Sequence, residues 1–394
     1  MLEIIDFLEN REYYVEAEKL RQGETSLDFF ARYIGDEEVG EIAELLKINT
    51  TITSFSIMHT SGGTELAESL KTNKTLTTFR IMRSEMGDEG AKEFAHALKI
   101  NNTLTSLDLH NNNMSTFNIF ADVLKINNSL THFIISSINP KCEGLGEFAD
   151  ALKINNSLTY FCFSGCGQMK ETDRLAAALK INKTLTSLVL LHVVIEDVEV
   201  ENLANCLQLN KTLTCFNFSS RNISNIGVKK LVDALKNNYT LTHFVVKNNG
   251  RDDEGILDEI EERINHNKSL VQKLSLSISD YFNNKTEDNA FKVLACTKFY
   301  QKADKELLKE YLTKQNIIDV KSTLNEVNNL ITEKAFTVLS ICKNIQTANF
   351  KAAVGKTHIS DLPNEVMKHI GSYLIHNLWE KNVEVIGNIV EEIN

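Results

Sequence analysis

The side chains of this 394-residue chain that have the right types for chemistry do not stand at the spacings chemistry needs. Gly355, Lys356 and Thr357 match the close of a phosphate-binding loop. That loop also needs a glycine five residues earlier to let backbone N–H groups reach the phosphate, and Phe350 stands there instead. Cys162 and Cys166 could offer two thiolates to zinc, yet no second Cys or His pair at ligand spacing follows them. His132 and His243 occupy equivalent positions four repeats apart. At about 4.8 Å per stacked strand that is roughly 19 Å, too far to share a ligand or a proton. No nucleophile, base and orienting acid can be assembled from spacing. The expectation is a non-enzymatic protein with no catalytic residue, no metal site and no cofactor.

The elements that would position any site come from a recurring corner. A block reading roughly Leu-Lys-Ile-Asn, two residues, then Leu-Thr or Ile-Thr places Asn49, Asn73, Asn101, Asn127, Asn155, Asn182, Asn210, Asn238 and Asn267 at equivalent positions, 24 to 29 residues apart. A period in that range marks a solenoid. After each corner the apolar pattern alternates: Leu107 and Leu109 point one way, Ser106, Asp108 and His110 the other, as in a short strand. Farther on, Ala91, Phe94, Ala95 and Leu98 recur at i, i+3, i+4 and i+7 within 87–101, which predicts a helix with one buried stripe. Asp88 and Glu89 stand at its positive end and Lys99 in its last turn, where the helix dipole favours them.

Strands stack about 4.8 Å apart while helices need roughly 8 to 10 Å, so a pile of strand-helix units bends with its strands inside. The pairs Phe55 and Ile57, Phe79 and Ile81, Phe133 and Ile135, Phe161 and Phe163, Leu188 and Leu190, Phe216 and Phe218, and Phe244 and Val246 are then core between the layers. The unit 104–114 fits the pattern LxxLxLxxNxL, with Leu104, Leu107, Leu109, Asn112 and Met114 on its diagnostic positions. The chain resembles the leucine-rich-repeat family, and its helix-bearing units resemble the ribonuclease-inhibitor subclass. The resemblance implies an α/β fold: a right-handed solenoid or horseshoe with parallel inner strands and outer helices. The consensus loop Asn is present at Asn112 and Asn249 but replaced at Ser84, Ile138, Cys166, Val193 and Arg221.

Because 26–38 aligns with 78–90, about ten units are expected over 26–282. Residues 1–25 form an expected N-terminal helical cap, with Leu2, Ile5, Leu8 and Val15 on its apolar face. Each repeat Asn also lies in an N-glycosylation sequon. A corner in which Asn takes the left-handed conformation and the following Ser or Thr bonds the backbone produces that sequon without any glycan.

The strand residues facing away from the core define a candidate protein-binding surface: Arg80, Asp108, His132, Ile134, Tyr160, Cys162, Val189, Leu191, Asn217, His243 and Val245. Few of these carry charge, and a parallel sheet normally has both faces covered, so an open apolar strand face reads as a partner site. With 53 acids against 42 Lys and Arg, the net charge of −11 argues against a nucleic-acid partner. The opening MLEIIDFLEN carries acids where a secretory signal has cations, and no apolar run reaches the ~18 residues of a membrane span. Seven scattered cysteines fit a reducing compartment. The expectation is a cytoplasmic monomer without membrane contact.

From 283 to 394 the corner motif ceases and helical stretches at 287–301, 302–315, 317–331 and 333–345 predict an all-α C-terminal domain or, with equal weight, an extended helical cap that hides the open face of the last repeat. Within it, Ser360 and Asp361 precede Pro363 at a helix start, and Leu362, Val366, Ile370, Tyr373 and Leu374 share one apolar face. This segment, 359–378, resembles the first helix of the F-box, which docks on the Skp1 adaptor of cullin-type ubiquitin ligases. The resemblance implies docking through Leu362, Pro363, Val366, Ile370 and Leu374. Taken together, these features give a scaffold that captures a protein on its concave face, a Skp1-cullin substrate adaptor if the F-box likeness holds. It is also similar to effectors that act in a host cytosol. The alternative is a regulator of small-GTPase hydrolysis on the same scaffold.

Overall fold

The computed structural model of the protein describes residues 2–30, 34–115, 118–136, 144–165, 168–220, 222–247, 254–283, 293 and 305–314. Two units are distinguished, 1–264 and 265–394. In the first, strands β1 (Ser26–Phe29), β2 (Ser54–Met58), β3 (Thr78–Met82), β4 (Ser106–Leu109), β5 (His132–Ser136), β6 (Tyr160–Ser164), β7 (Ser187–Val193), β8 (Cys215–Ser220) and β9 (His243–Lys247) alternate with helices. These are α3 (Asp36–Ile48), α4 (Gly63–Thr72), α5 (Gly87–Leu98), α6 (Ala121–Leu124), α7 (Leu145–Leu152), α8 (Thr172–Ile181), α9 (Asp197–Leu209) and α10 (Asn225–Leu235). All strand pairs are parallel, and the spatial order of the sheet is the chain order. The first unit is therefore a leucine-rich-repeat solenoid.

Period and burial agree for the core-facing side chains of the repeats. Helix α5 buries Ala91, Phe94, Ala95 and Leu98, and α10 buries Val228, Leu231, Val232 and Leu235 at the same i, i+3, i+4, i+7 spacing. Strand side chains at alternate positions fill the gap to those helices. Phe55, Phe79, Phe133 and Phe161 are fully buried. Ring contacts run along the stack, Phe29 to Phe55 at 6.2 Å, Phe55 to Phe79 at 5.2 Å and Phe133 to Phe161 at 6.0 Å. One continuous apolar core runs from Ile4 to Ile264.

The corner asparagines act as a buried ladder rather than as left-handed turn residues. Asn49, Asn73, Asn182 and Asn210 have extended backbones, with φ between −63° and −71°. What selects Asn is its two-sided amide. In Asn101 the Oδ1 accepts from the N–H groups of Thr103 (3.0 Å) and Leu104 (2.8 Å), closing its own corner. Its Nδ2 donates to Leu70 O (2.8 Å) and Asn73 O (3.1 Å) of the preceding repeat. Asn127, Asn155 and Asn182 repeat that pattern. The eight corner amides from Asn49 to Asn238 are 1 to 6% exposed, so in the folded chain they are shielded from glycan attachment. A second ladder runs beside it: Thr77, Thr105, Thr131, Thr159 and Thr186 each donate their hydroxyl to the carbonyl of the preceding Thr, at 3.0 to 3.2 Å.

Two expectations are corrected at the ends of the array. The N-terminal segment folds as two helices, α1 (Leu2–Asn10) and α2 (Tyr14–Arg21), that bury Ile4, Ile5, Leu8, Ala17 and Leu20, with Tyr13 buried in the turn between them. Val15 is exposed because the turn between the helices resets the helical phase and brings Tyr13 edge-on to Phe29 at 5.4 Å; Leu2, the first residue of α1, is exposed as well. At the other end, Asn267 starts no tenth strand. It lies inside α11 (Glu254–Asn283), so the described residues contain nine strands. Ile260, Ile264, Val271, Leu274, Ile278 and Tyr281 recur at three, four or seven residues across this segment and are buried. That helical period outweighs one corner motif, whose Leu-Thr is here Leu270-Val271. In the second unit α12 (Lys305–Lys314) buries Leu308 and Leu312, one turn apart.

Candidate functional site

The strand face turned away from the helices is built from three columns that strand register brings into line. One runs Thr78, Ser106, His132, Tyr160, Ser187, Cys215 and His243. The middle one runs Ser56, Arg80, Asp108, Ile134, Cys162, Val189, Asn217 and Val245. The third includes Ser136, Ser164 and Leu191.

The columns are not equally open. Arg80, His132, His243 and Val245 are exposed, and Ile134, Tyr160, Leu191 and Asn217 are partly covered. Asp108, Cys162 and Val189, expected to contact a partner, are instead buried at 6 to 8% exposure. The cause is crowding: strands stacked about 4.8 Å apart leave short side chains below the level of longer neighbours. These three form the floor of the site. His132 and Tyr160, one repeat apart, stack with ring centroids 5.6 Å apart and planes at 17°. Asn217 Oδ1 is buried without a hydrogen-bond partner, in the column between Val189 and Val245.

Electrostatics follow from that burial. Desolvation pushes the Cys162 thiol up to about 11, with the nearby Asp108 charge adding to it. The thiol is therefore protonated and unreactive near neutral pH. Burial likewise pushes the Tyr160 hydroxyl up to about 12, and the Cys206 thiol up to about 12. Asp108 is raised by burial, against the opposing pull of the His110 N–H bond (3.0 Å) and the charges of His110 and Arg80. A carboxyl raised on folding contributes most at low pH and loses stability as pH rises through its folded value. Asp108→Asn should therefore be more stable than the parent at pH 7, with the gap closing as pH falls toward 3.8, the ordinary value for this group. Thermal melts of both proteins across pH check this; a gap that widens at low pH contradicts it.

Among the described residues no group of three or more His, Cys, Asp or Glu side chains could hold a metal, and no helix is long and apolar enough to cross a membrane. Cys166, Gly355, Lys356 and Thr357 lie outside the described residues, as do Leu362, Pro363, Val366, Ile370 and Leu374 of the F-box-like segment. Spacing alone brought the face residues into columns. It missed the buried floor, the His132–Tyr160 stack and the unpaired Asn217 oxygen; the small side chains flanked by Tyr160 and Ile134 were the available hint.

No protein-family profile matches the chain. It is similar to a putative ankyrin repeat protein of Rickettsia felis, 38% identical over 86 residues that cover 21% of this chain and 28% of that protein. A putative ankyrin repeat protein of Rickettsia bellii is 34% identical over 122 residues, 31% of this chain and 20% of that protein. A further Rickettsia felis protein of the same description is 34% identical over 137 residues, 30% of this chain and 41% of that protein. The chain thus spans between a fifth and two-fifths of the length of these relatives. Ankyrin units have about 33 residues and two helices, whereas the units here have one strand and one principal helix. Among solved structures, leiomodin-1 actin-binding site 2 has 23% identity, a TM-score of 0.29 and coverage of 32% of this chain and 72% of its own. The tropomodulin C-terminal domain of Caenorhabditis elegans has 16% identity, a TM-score of 0.29 and coverage of 37% and 93%.

Proposed function

We propose that the chain is a protein-interaction scaffold that captures a protein partner on the open strand face around β5 to β9. One observation carries the proposal: a parallel sheet, whose faces are normally both covered, presents Ile134, Tyr160, Leu191 and Val245 on its outer face over a floor of buried Cys162 and Val189. Burial keeps the Cys162 thiol in this floor protonated, so that residue serves the face as a packing group.

Cross-linked capture from cell lysate, read by mass spectrometry, is the test. Ile134→Glu with Tyr160→Glu should abolish recovery of the partner, while the melting temperature stays within about 4 °C, as for a change near 1 kcal/mol in a body of this size. Undiminished recovery would reject this face. The finer proposal, from sequence, is that the F-box-like segment docks Skp1 and makes the array the substrate-selecting part of a ubiquitin-ligase adaptor, acting in a host cytosol if the chain is an effector. A Skp1 band in the same capture, lost on Leu362→Ala with Ile370→Ala, supports it. Its absence from the unmodified protein rejects it.

A further inference from the structure

The residue just before each corner Asn is apolar in most repeats and is not used by the core. Ile48, Ile100, Ile126, Ile154, Ile181 and Leu209 are 54 to 63% exposed. Five of them, Ile100 to Leu209, come from five consecutive repeats. Their corners are tied to one another by the Asn amides, as in Asn127 Nδ2 to Asn101 O (3.1 Å) and Asn182 Nδ2 to Asn155 O (3.2 Å), so the five side chains form one row along the flank of the solenoid. Between Ile100 and Ile126 a groove of about 500 Å³ opens, lined also by Lys99, Asn102, Asn128 and Ser129.

The charge on this flank is opposite to that of the whole chain. The eight corner segments 47–54, 71–78, 99–106, 125–132, 153–160, 180–187, 208–215 and 236–243 contain ten lysines and no Asp or Glu, although the net charge is −11. Lys47, Lys71, Lys125, Lys153 and Lys236 are paired with acids one turn back on their helices. Lys74, Lys99, Lys180, Lys183 and Lys211 are exposed and have no ion-pair partner among the described residues.

We propose that this flank docks an acidic amphipathic α-helix of a partner protein, with the helix axis along the row. Asn101 Nδ2 bonds Asn73 O and Asn127 Nδ2 bonds Asn101 O, which holds the corners near the strand spacing of about 4.8 Å rather than the roughly 8 to 10 Å of the helices. A helix advances about 5.4 Å per turn, so one apolar residue per turn meets one Ile per repeat, and flanking carboxylates reach the unpaired lysines. An extended peptide, whose same-face residues lie about 6.7 Å apart, drifts out of step over five repeats. An anionic membrane is the other surface that lysine and isoleucine could meet. It extends well past the Debye length of about 8 Å and so confronts the net negative charge of the whole chain, whereas a single helix experiences mainly the local lysines.

The probe is a fluorescent helix-forming peptide of about 16 residues, long enough for four turns, with Leu once per turn and Glu beside it. Anisotropy with the full chain should show binding that weakens with salt, and a peptide with Lys in place of Glu should not bind. Ile126→Ser with Ile154→Ser should weaken binding about tenfold or more, with no loss of melting temperature because both side chains are exposed. Ile134→Glu with Tyr160→Glu should leave peptide binding unchanged, which keeps this flank distinct from the open strand face. Failure of the Glu peptide to bind, equal binding by the Ser variant, or loss of binding in the strand-face variant would each overturn the proposal. So would sedimentation with phosphatidylserine vesicles, abolished by the Ser changes, without peptide binding.

Discussion

Asn101→Ala is expected to destabilise the solenoid by roughly 3 kcal/mol or more, an amount far out of proportion to the size of the side chain. The cost follows from the polar groups the change leaves without partners. Removing the amide strands the N–H groups of Thr103 and Leu104 and takes a donor from the carbonyls of Leu70 and Asn73, at a residue only 1% exposed. Each buried polar group left without a partner costs about 1–3 kcal/mol. Asn101→Asp separates the two halves of the role, because a carboxylate still accepts from Thr103 and Leu104 but cannot donate to the previous repeat. If the bonds between repeats matter, Asn101→Asp stays destabilised by more than about 1 kcal/mol. Recovery to the parent value would show that only the local turn counts. Thermal melting and hydrogen exchange over 98–132 measure both.

Phe161→Ala should cost about 3–5 kcal/mol, the range for emptying a fully buried aromatic site. Phe161 is 0% exposed, stacks on Phe148 of α7 at 4.0 Å and contacts Phe133 of β5 at 6.0 Å. It therefore joins a helix and two strands in adjacent repeats. In a body whose units touch only their neighbours, the damage should be local at first. Amides of β5, β6 and β7 should lose exchange protection while those of β1 and β2 keep it. Equal loss along the whole array would contradict nearest-neighbour stacking. Phe161→Leu, which leaves a smaller cavity, should cost well under half as much.

Much of the repeat was legible in the chain because it depends on period. Alternation at Leu107 and Leu109 and helical recurrence at Ala91, Phe94, Ala95 and Leu98 specify which side of each element is buried, and both are buried. The corner Asn was legible as a turn residue but not in its role, since its extended backbone is dictated by carbonyls some 24 to 31 residues earlier in the chain. The strand face was legible only as columns. A pattern of two assigns Asp108, Cys162 and Val189 to the outer face but says nothing of how deep they lie beneath Tyr160 and Ile134.

The amino-acid sequence by itself determined the repeat length, the alternation of strand and helix, the core residues and the absence of acids from every corner from Asn49 to Asn238. These are properties of local order, and a chain carries its own periodicity. The tertiary structure decided the rest. Among the described residues it ended the strands at β9, where the helical period of α11 overrode the corner at Asn267. It also buried the floor of the strand face and left a row of isoleucines in solvent. Those outcomes depend on which surfaces neighbouring repeats cover, and that coverage exists only once the repeats are stacked.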